Sequence, residues 1–355
     1  MEKISFLIPV YNAEKYLDSL MSSILSQELD EYEIILLDDG STDGSLAKCN
    51  EYQAMNPDTI KVISRENKGA VRTRRELFES STGEWIWIID SDDYIASDAI
   101  KELSGIIESE KCDLILFDYY LLSYDNDSLE IIHQLDSSDG TKFDLENKTE
   151  LYRLFFTESY INPLWNKVFR RKCIDFNNDY TEYEDVRRAN DMLQTMAILT
   201  NAEDIVYVKK PLYYYRIVEG SLSRVYKDYT YYSITKVLKT LDKYAKIWGI
   251  SDEMREQFAE SKINNICEML TKYVCSENIK PSIGMYTDFI NNIYNDPFYG
   301  LAIKETPLEK YRGTILFKLI KEKRIRILYV YIKLRGKIKP ILERIKRIEH
   351  IDKVK

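Results

Sequence analysis

The chain has 355 residues, a mass of 42.0 kDa and a formal net charge of −9. It is 45% hydrophobic and 31% charged, which provides for one large or two smaller buried cores and argues against a disordered or collagen-like chain. Two histidines, and five cysteines without a Cys-x-x-Cys pair, argue against a serine-protease triad, a zinc knuckle and a disulfide framework, and fit a reducing cytoplasm.

The first hundred residues alternate between strand and helix. Ile4–Val10 is an apolar run, and Ala13–Leu29 has Tyr16, Leu20, Ile24 and Leu25 at helical spacing. Glu33–Leu37 is a second strand, stopped by Asp38-Asp39-Gly40-Ser41. Thr42–Tyr52 follows as a helix entered by a Ser/Thr/Asp cap. Ile60–Ser64, a helix over Lys68–Ser80 and the strand Glu84–Ile89 complete this half. Unbroken apolar strands separated by helices predict a mostly parallel sheet with helices on both faces. Later elements are a strand at Leu114–Leu122, a helix at Thr149–Phe156, strands at Pro163–Arg170 and Ile205–Arg216, and a helix at Asp191–Leu199 between them. Beyond Tyr226 the chain reads as helical, and no run approaches the ~18–20 apolar residues of a membrane span. Met1 leads straight into the first strand, without a leader-like segment.

Ligands of such sheets bind outside the carboxyl ends of the strands. Asp38 and Asp39 end one strand there, and Asp90, Asp92 and Asp93 end another. Three carboxylates within four residues repel one another unless a cation sits among them, and oxygen ligands suit Mg²⁺ or Mn²⁺ better than zinc. Solvated aspartates capping a helix are the alternative.

Charge is unevenly placed. From Gly313 onward there are 14 Lys+Arg against 4 Asp+Glu, a net of +10, while the preceding residues carry −19. Apolar residues are interleaved with the cations, so the expectation is a basic amphipathic tail on an anionic membrane surface. A helix packed on the body is the plainer alternative. Nucleic acid is not an expected partner, because no recognition motif accompanies the charge.

Six motifs occur in order. They are Pro9-Val10-Tyr11-Asn12; Asp38-Asp39-Gly40-Ser41-Thr42-Asp43-Gly44-Ser45; Asn67-Lys68-Gly69 with Arg74; Asp90-Ser91-Asp92-Asp93-Tyr94; Pro163-Leu-Trp165-Asn-Lys167; and Pro211-Leu-Tyr-Tyr-Tyr-Arg216. Over residues 3–225 the chain resembles family 2 glycosyltransferases with a GT-A fold, of the bacterial type that builds surface polysaccharides such as capsule. The resemblance implies a GT-A domain over 1–225, with a nucleotide-sugar half (1–98) and an acceptor half (99–225). A helical region at 226–312 and the basic tail at 313–355 would follow.

It also implies a metal-dependent, inverting hexosyl transfer. The donor would be a nucleotide-diphosphate sugar, UDP-linked, and the acceptor a glycan on a lipid carrier at the inner face of the cell membrane. In the donor site, Pro9, Val10, Tyr11 and Asn12 would lie against the base and Asp39 would accept a hydrogen bond from it. Arg74 would flank the nucleotide, Asp90 and Ser91 would face ribose or metal-bound water, and Asp92 would hold Mn²⁺ or Mg²⁺. Trp165, Lys167 and Arg216 would lie near acceptor or diphosphate, with Ser221 and Ser223 in a closing loop.

The catalytic base would be Asp191, twenty residues before Pro211 and followed by an apolar helix. The family's preceding Glu is Asn190 here, and Asp185 is the alternative base. A catalytically silent nucleotide-sugar-binding or scaffold subunit is the competing reading.

Overall fold

The computed structural model describes residues 3–28, 31–109, 111–123, 128–157, 160–218, 226–276, 278–308 and 315–336. The chain forms two compact units. One is Met1–Ser221 with Tyr232–Gly249, and the other is Leu222–Tyr231 with Ile250–Lys355.

The first unit runs β1 (Ile4–Val10), α1 (Glu14–Leu25), β2 (Tyr32–Asp38), α2 (Ser45–Met55), β3 (Ile60–Ser64), α3 (Ala70–Ser80) and β4 (Trp85–Ile88). It continues through β5 (Tyr94–Ile95), α4 (Ala99–Ser109), β6 (Leu114–Leu122), β7 (Leu129–Ile132), β8 (Thr141–Phe143), α5 (Thr149–Thr157), β9 (Lys167–Arg170), α6 (Asp191–Asn201) and β10 (Ile205–Arg216). Most of α7 (Thr230–Ile247) also belongs to it. Trp248, just past α7, stacks on Tyr152 at 4.2 Å and donates to Thr200 Oγ1, which ties this helix to α5 and α6.

One ten-stranded sheet has the order β3-β2-β1-β4-β9-β6-β10-β5, with β7 beside β6 and β8 beside β10. The strands β3, β2, β1 and β4 are parallel. Beyond them the sheet is mixed: β9 runs antiparallel to both β4 and β6, while β6 and β10 are parallel. Ile4, Phe6, Ile8 and Val10 on one face of β1 join Leu17, Leu20, Met21 and Ile24 of α1 in the main core, with Trp85, Trp87 and Phe117. These α1 positions recur at three- and four-residue intervals, the apolar stripe of a helix on a sheet.

Two elements start three or more residues later than the apolar pattern predicts. The helix α2 begins at Ser45 because residues 41–44 are spent on loop contacts: Thr42 N donates to Asn12 Oδ1, and Gly44 N to Glu14 Oε2. The strand β9 begins at Lys167, because the carbonyls of Ile161 and Pro163 are turned onto its ammonium group.

The second unit contains α8 (Asp252–Val274), α9 (Ile283–Asn295), α10 (Pro297–Glu305), α11 (Ile315–Lys321) and a helix α12 over 325–336. Their starts follow from local chemistry. Ser251 and Ser282 cap α8 and α9, and Asp296 caps α10, which opens on Pro297. Of the basic tail, residues 315–336 are described, and 337–355 lie outside the described residues. In α12, Leu328 and Ile332 are buried, whereas Ile327, Val330 and Leu334 are exposed. No helix among the described residues is long and apolar enough to cross a membrane.

Candidate active site

The carboxyl ends of β1, β2 and β4 meet at one edge, where the loops bind each other. Asn12 adopts a left-handed backbone (φ 51°), and its amide oxygen receives Thr42 N at 2.8 Å. Ser45 Oγ receives Ala13 N at 2.8 Å. This cross-bracing leaves the Tyr11 ring 53% exposed, available as a flat surface, while Pro9 and Val10 continue β1 beneath it.

Asp39 is buried and fully engaged. One carboxylate oxygen receives Lys68 N at 2.8 Å and the Arg65 guanidinium, and the other receives Gly69 N at 2.9 Å. It therefore joins the end of β2 to the entry of α3. Gly69 has φ 85°, and a Cβ there would meet the Arg187 guanidinium at 1.9 Å. Arg65 and Arg187 escaped the sequence reading, because neither sits in a motif.

The acidic cluster lies at the end of β4. Asp93 is fully buried, receiving Tyr213 Oη at 2.8 Å and Arg216 N at 2.7 Å. Tyr213 Oη also accepts from Asp90 N at 3.1 Å, so this tyrosine fixes the turn that carries Asp90, Ser91 and Asp92. Burial, with Asp191 and Asp92 beside it, outweighs Arg74 and pushes the Asp90 carboxyl up to about 7. Burial also raises Asp92, partly offset by Arg216, and raises Asp93 with Asp92 and Asp90 adding to the shift.

Arg74 joins this edge to α6. It donates to Asn190 Oδ1 at 3.0 Å and pairs with Asp191 Oδ1 at 2.5 Å. The Asn190 amide thus still offers an oxygen where the resemblance called for a glutamate. Asp185, by contrast, pairs with Lys236 at 2.9 Å on an exposed surface and takes no part in the cluster.

Trp165 is buried, with its ring stacked on Tyr213 at 4.6 Å and Tyr215 at 5.2 Å. Arg216 sits between the rings of Tyr16 and Tyr94, 5.1 and 5.0 Å away, and reaches Ser19 Oγ at 3.2 Å. Lys167 is fully buried beneath the edge, holding Ile161 O, Pro163 O and Asn166 Oδ1. Burial pulls its ammonium down to about 7 while Asp191 pulls it back. The structure therefore brings Arg74, Asp90, Asp92, Asp191 and Arg216 together and sets Lys167 below them. Ser221 and Ser223 lie outside the described residues.

Residues 5–175 match the family described as Glycosyl transferase family 2. Glycosyltransferase GlyG of Streptococcus pneumoniae serotype 4 is 30% identical over 233 residues, 64% of this chain and 75% of GlyG. The chain belongs to glycosyl transferase family 2. Glycosyltransferase GlyA of the same organism is 28% identical over 231 residues, but the match spans only 32% of GlyA. In three dimensions the chain is similar to residues 1–349 of Staphylococcus aureus TarS, solved in complex with UDP-GlcNAc. The TM-score is 0.62 at 21% identity, covering 95% of this chain and 92% of that one, which shows that the family member has the same fold.

A carboxyl group whose folded-state pKa is raised costs stability once pH exceeds its unfolded value near ~3.9, and the cost is complete above the folded value. Asp90→Asn should therefore stabilise the metal-free protein at pH 8, seen as a Tm gain of at least a few °C. The gain should shrink as pH falls from 8 toward 5, which thermal unfolding across that range would check.

Proposed function

We propose that this family 2 chain transfers a sugar from a nucleotide-diphosphate sugar, UDP-linked, to a hydroxyl group of a glycan with inversion at the anomeric carbon. The observation that carries this reading is the Arg74–Asp191 ion pair beside Asp90. It puts a candidate base at the mouth of an acidic strand end that suits a metal–diphosphate. The UDP-GlcNAc complex of TarS supports the choice of UDP.

Among the described residues no three His, Cys, Asp or Glu side chains gather into a metal-binding group. Mg²⁺ and Mn²⁺ need only one or two protein carboxylates and complete their shell with substrate phosphates and water. Asp92 would hold the ion, with Asp90 beside it. When bound, the ion would neutralise charge building on the diphosphate as the sugar–phosphate bond breaks.

The chain's own residues do the rest. Tyr11 offers its exposed ring to the base, and the braced loops around Asn12 and Asp39 hold the shape of that pocket. Asp191 takes the proton from the acceptor hydroxyl, whose oxygen attacks the anomeric carbon opposite the departing diphosphate. Arg74 holds the Asp191 carboxylate in place. Asn190 preserves one half of that grip, which favours a working enzyme over a silent scaffold.

The acceptor would be attached to a lipid at a membrane surface. The exposed stripe Ile327, Val330 and Leu334 supports this, with Arg326, Lys333 and Arg335 around it.

Two tests follow. Asp191→Asn should lower turnover of a UDP-sugar by at least about 10²-fold with UDP binding kept, whereas Asp92→Asn should abolish the Mn²⁺-dependent rise in Tm with UDP. Full turnover in Asp191→Asn would sink the base assignment. In sedimentation with vesicles containing anionic lipid, Ile327→Ser/Leu334→Ser should reduce the bound fraction severalfold, and an unchanged fraction would remove the membrane from the proposal.

A further inference from the structure

A second concave site lies in the first unit, away from the acidic cluster. It is a cleft of about 690 Å³ walled by the 133–137 loop, Phe143, one face of α5, Tyr160 and Lys209. None of these residues belongs to the donor site described above.

The polar floor of this cleft is built rather than accidental. Gln134 is only 4% exposed, and its Nε2 donates to the carbonyls of Phe117 and Asn166. Two carbonyls around the nitrogen fix which end of the amide is which. Gln134 Oε1 is therefore a buried acceptor, and it has no hydrogen-bond partner among the described residues. Beside it, buried Asp118 receives Gln134 N at 2.9 Å and Tyr207 Oη at 2.7 Å and grips His133 through Nδ1. The half-exposed His133 ring is thereby held in one orientation with its Nε2 edge left over.

Charge decides the class of occupant. Arg153 is paired with Glu150 at 3.1 Å, Lys209 Nζ is held by Ser137 O at 3.1 Å, and Asp136 also lines the cleft. Arg153 and Lys209 are balanced by Glu150 and Asp136 in the lining, so the cleft has no excess positive charge with which to select a phosphate. It combines apolar wall (Leu135, Phe143, Leu151, Leu154) and a 39%-exposed Tyr160 ring with fixed polar groups. That combination suits a ring with one C–H face and a rim of hydroxyls.

The cleft is also wired to the reacting edge. Asn166, which accepts from Gln134 and donates to Tyr160 O at 2.6 Å, follows Trp165 in the chain, and Trp165 stacks on the Tyr213 that holds Asp90 and Asp93.

We propose that this cleft is a remote subsite for a neutral sugar unit of the acceptor glycan. The proposal rests on the transfer reading above and names part of its substrate. The test probes an array of neutral and anionic oligosaccharides with the full chain in the absence of donor. The same samples are melted with UDP and Mn²⁺. Wild type should retain at least one neutral glycan, and Tyr160→Ala and His133→Ala should each reduce that signal at least tenfold with the UDP response unchanged. Retention of no neutral glycan by a protein that still responds to UDP would overturn the subsite, as would equal retention by both variants. Retention that depends on Tyr160 in a protein with no UDP response would uphold the subsite and count against the transfer reading.

Discussion

The strand-end site depends on one electrostatic constraint. Asp90, Asp92, Asp93 and Asp191 are gathered at one partly buried edge with two guanidinium groups, Arg74 and Arg216, among them. Desolvation and mutual repulsion both favour the protonated acids, and the upward shifts of Asp90, Asp92 and Asp93 express that cost. An isolated fold would gain by replacing them. Under the proposed function, a divalent ion bound with the diphosphate would offset that cost. Strongly perturbed carboxyls in a cleft are a recognised mark of such sites.

The surroundings serve to hold these groups still. Asp93 is a positioning residue, since its oxygens are committed to Tyr213 and Arg216 N and it anchors the turn rather than facing the edge. Asp39 is similarly committed to Lys68 N, Gly69 N and Arg65. Trp165 contributes through stacking, buried against Tyr213 and Tyr215, while its carbonyl receives Trp87 Nε1 at 2.9 Å. This bracing holds the loop that carries the exposed Tyr11 ring and the turn that carries Asp90 and Asp92.

Much of the parallel part of the sheet was legible because buried parallel strands read as unbroken apolar runs, and β1 and β3 match their predicted bounds residue for residue. The acidic strand end was legible for the same reason, since Asp90 follows directly on such a run. Long-range pairing was not. The Arg74–Asn190 bond spans 116 positions, and nothing in the string says that an asparagine will present its oxygen where a glutamate is usual. Sequence gives the type of a side chain but not its direction, so Lys167, expected near acceptor or diphosphate, turns its ammonium onto the carbonyls of Ile161 and Pro163. The antiparallel insertion of β9 between β4 and β6 depends on tertiary contacts that no local period encodes. The remote cleft, assembled from five separate segments, left no motif at all.

The central claim, that the clustered carboxyls await a cationic ligand, is tested most directly by counting protons. Calorimetric titration of UDP with Mn²⁺ into the full chain at pH 6.5, in buffers of different ionisation heat, reports how many protons leave on binding. The account predicts net proton release, reduced in Asp90→Asn, because burial holds the Asp90 carboxyl above the usual range and it would have to ionise as the ion binds. Binding with no proton exchange in either protein would contradict it.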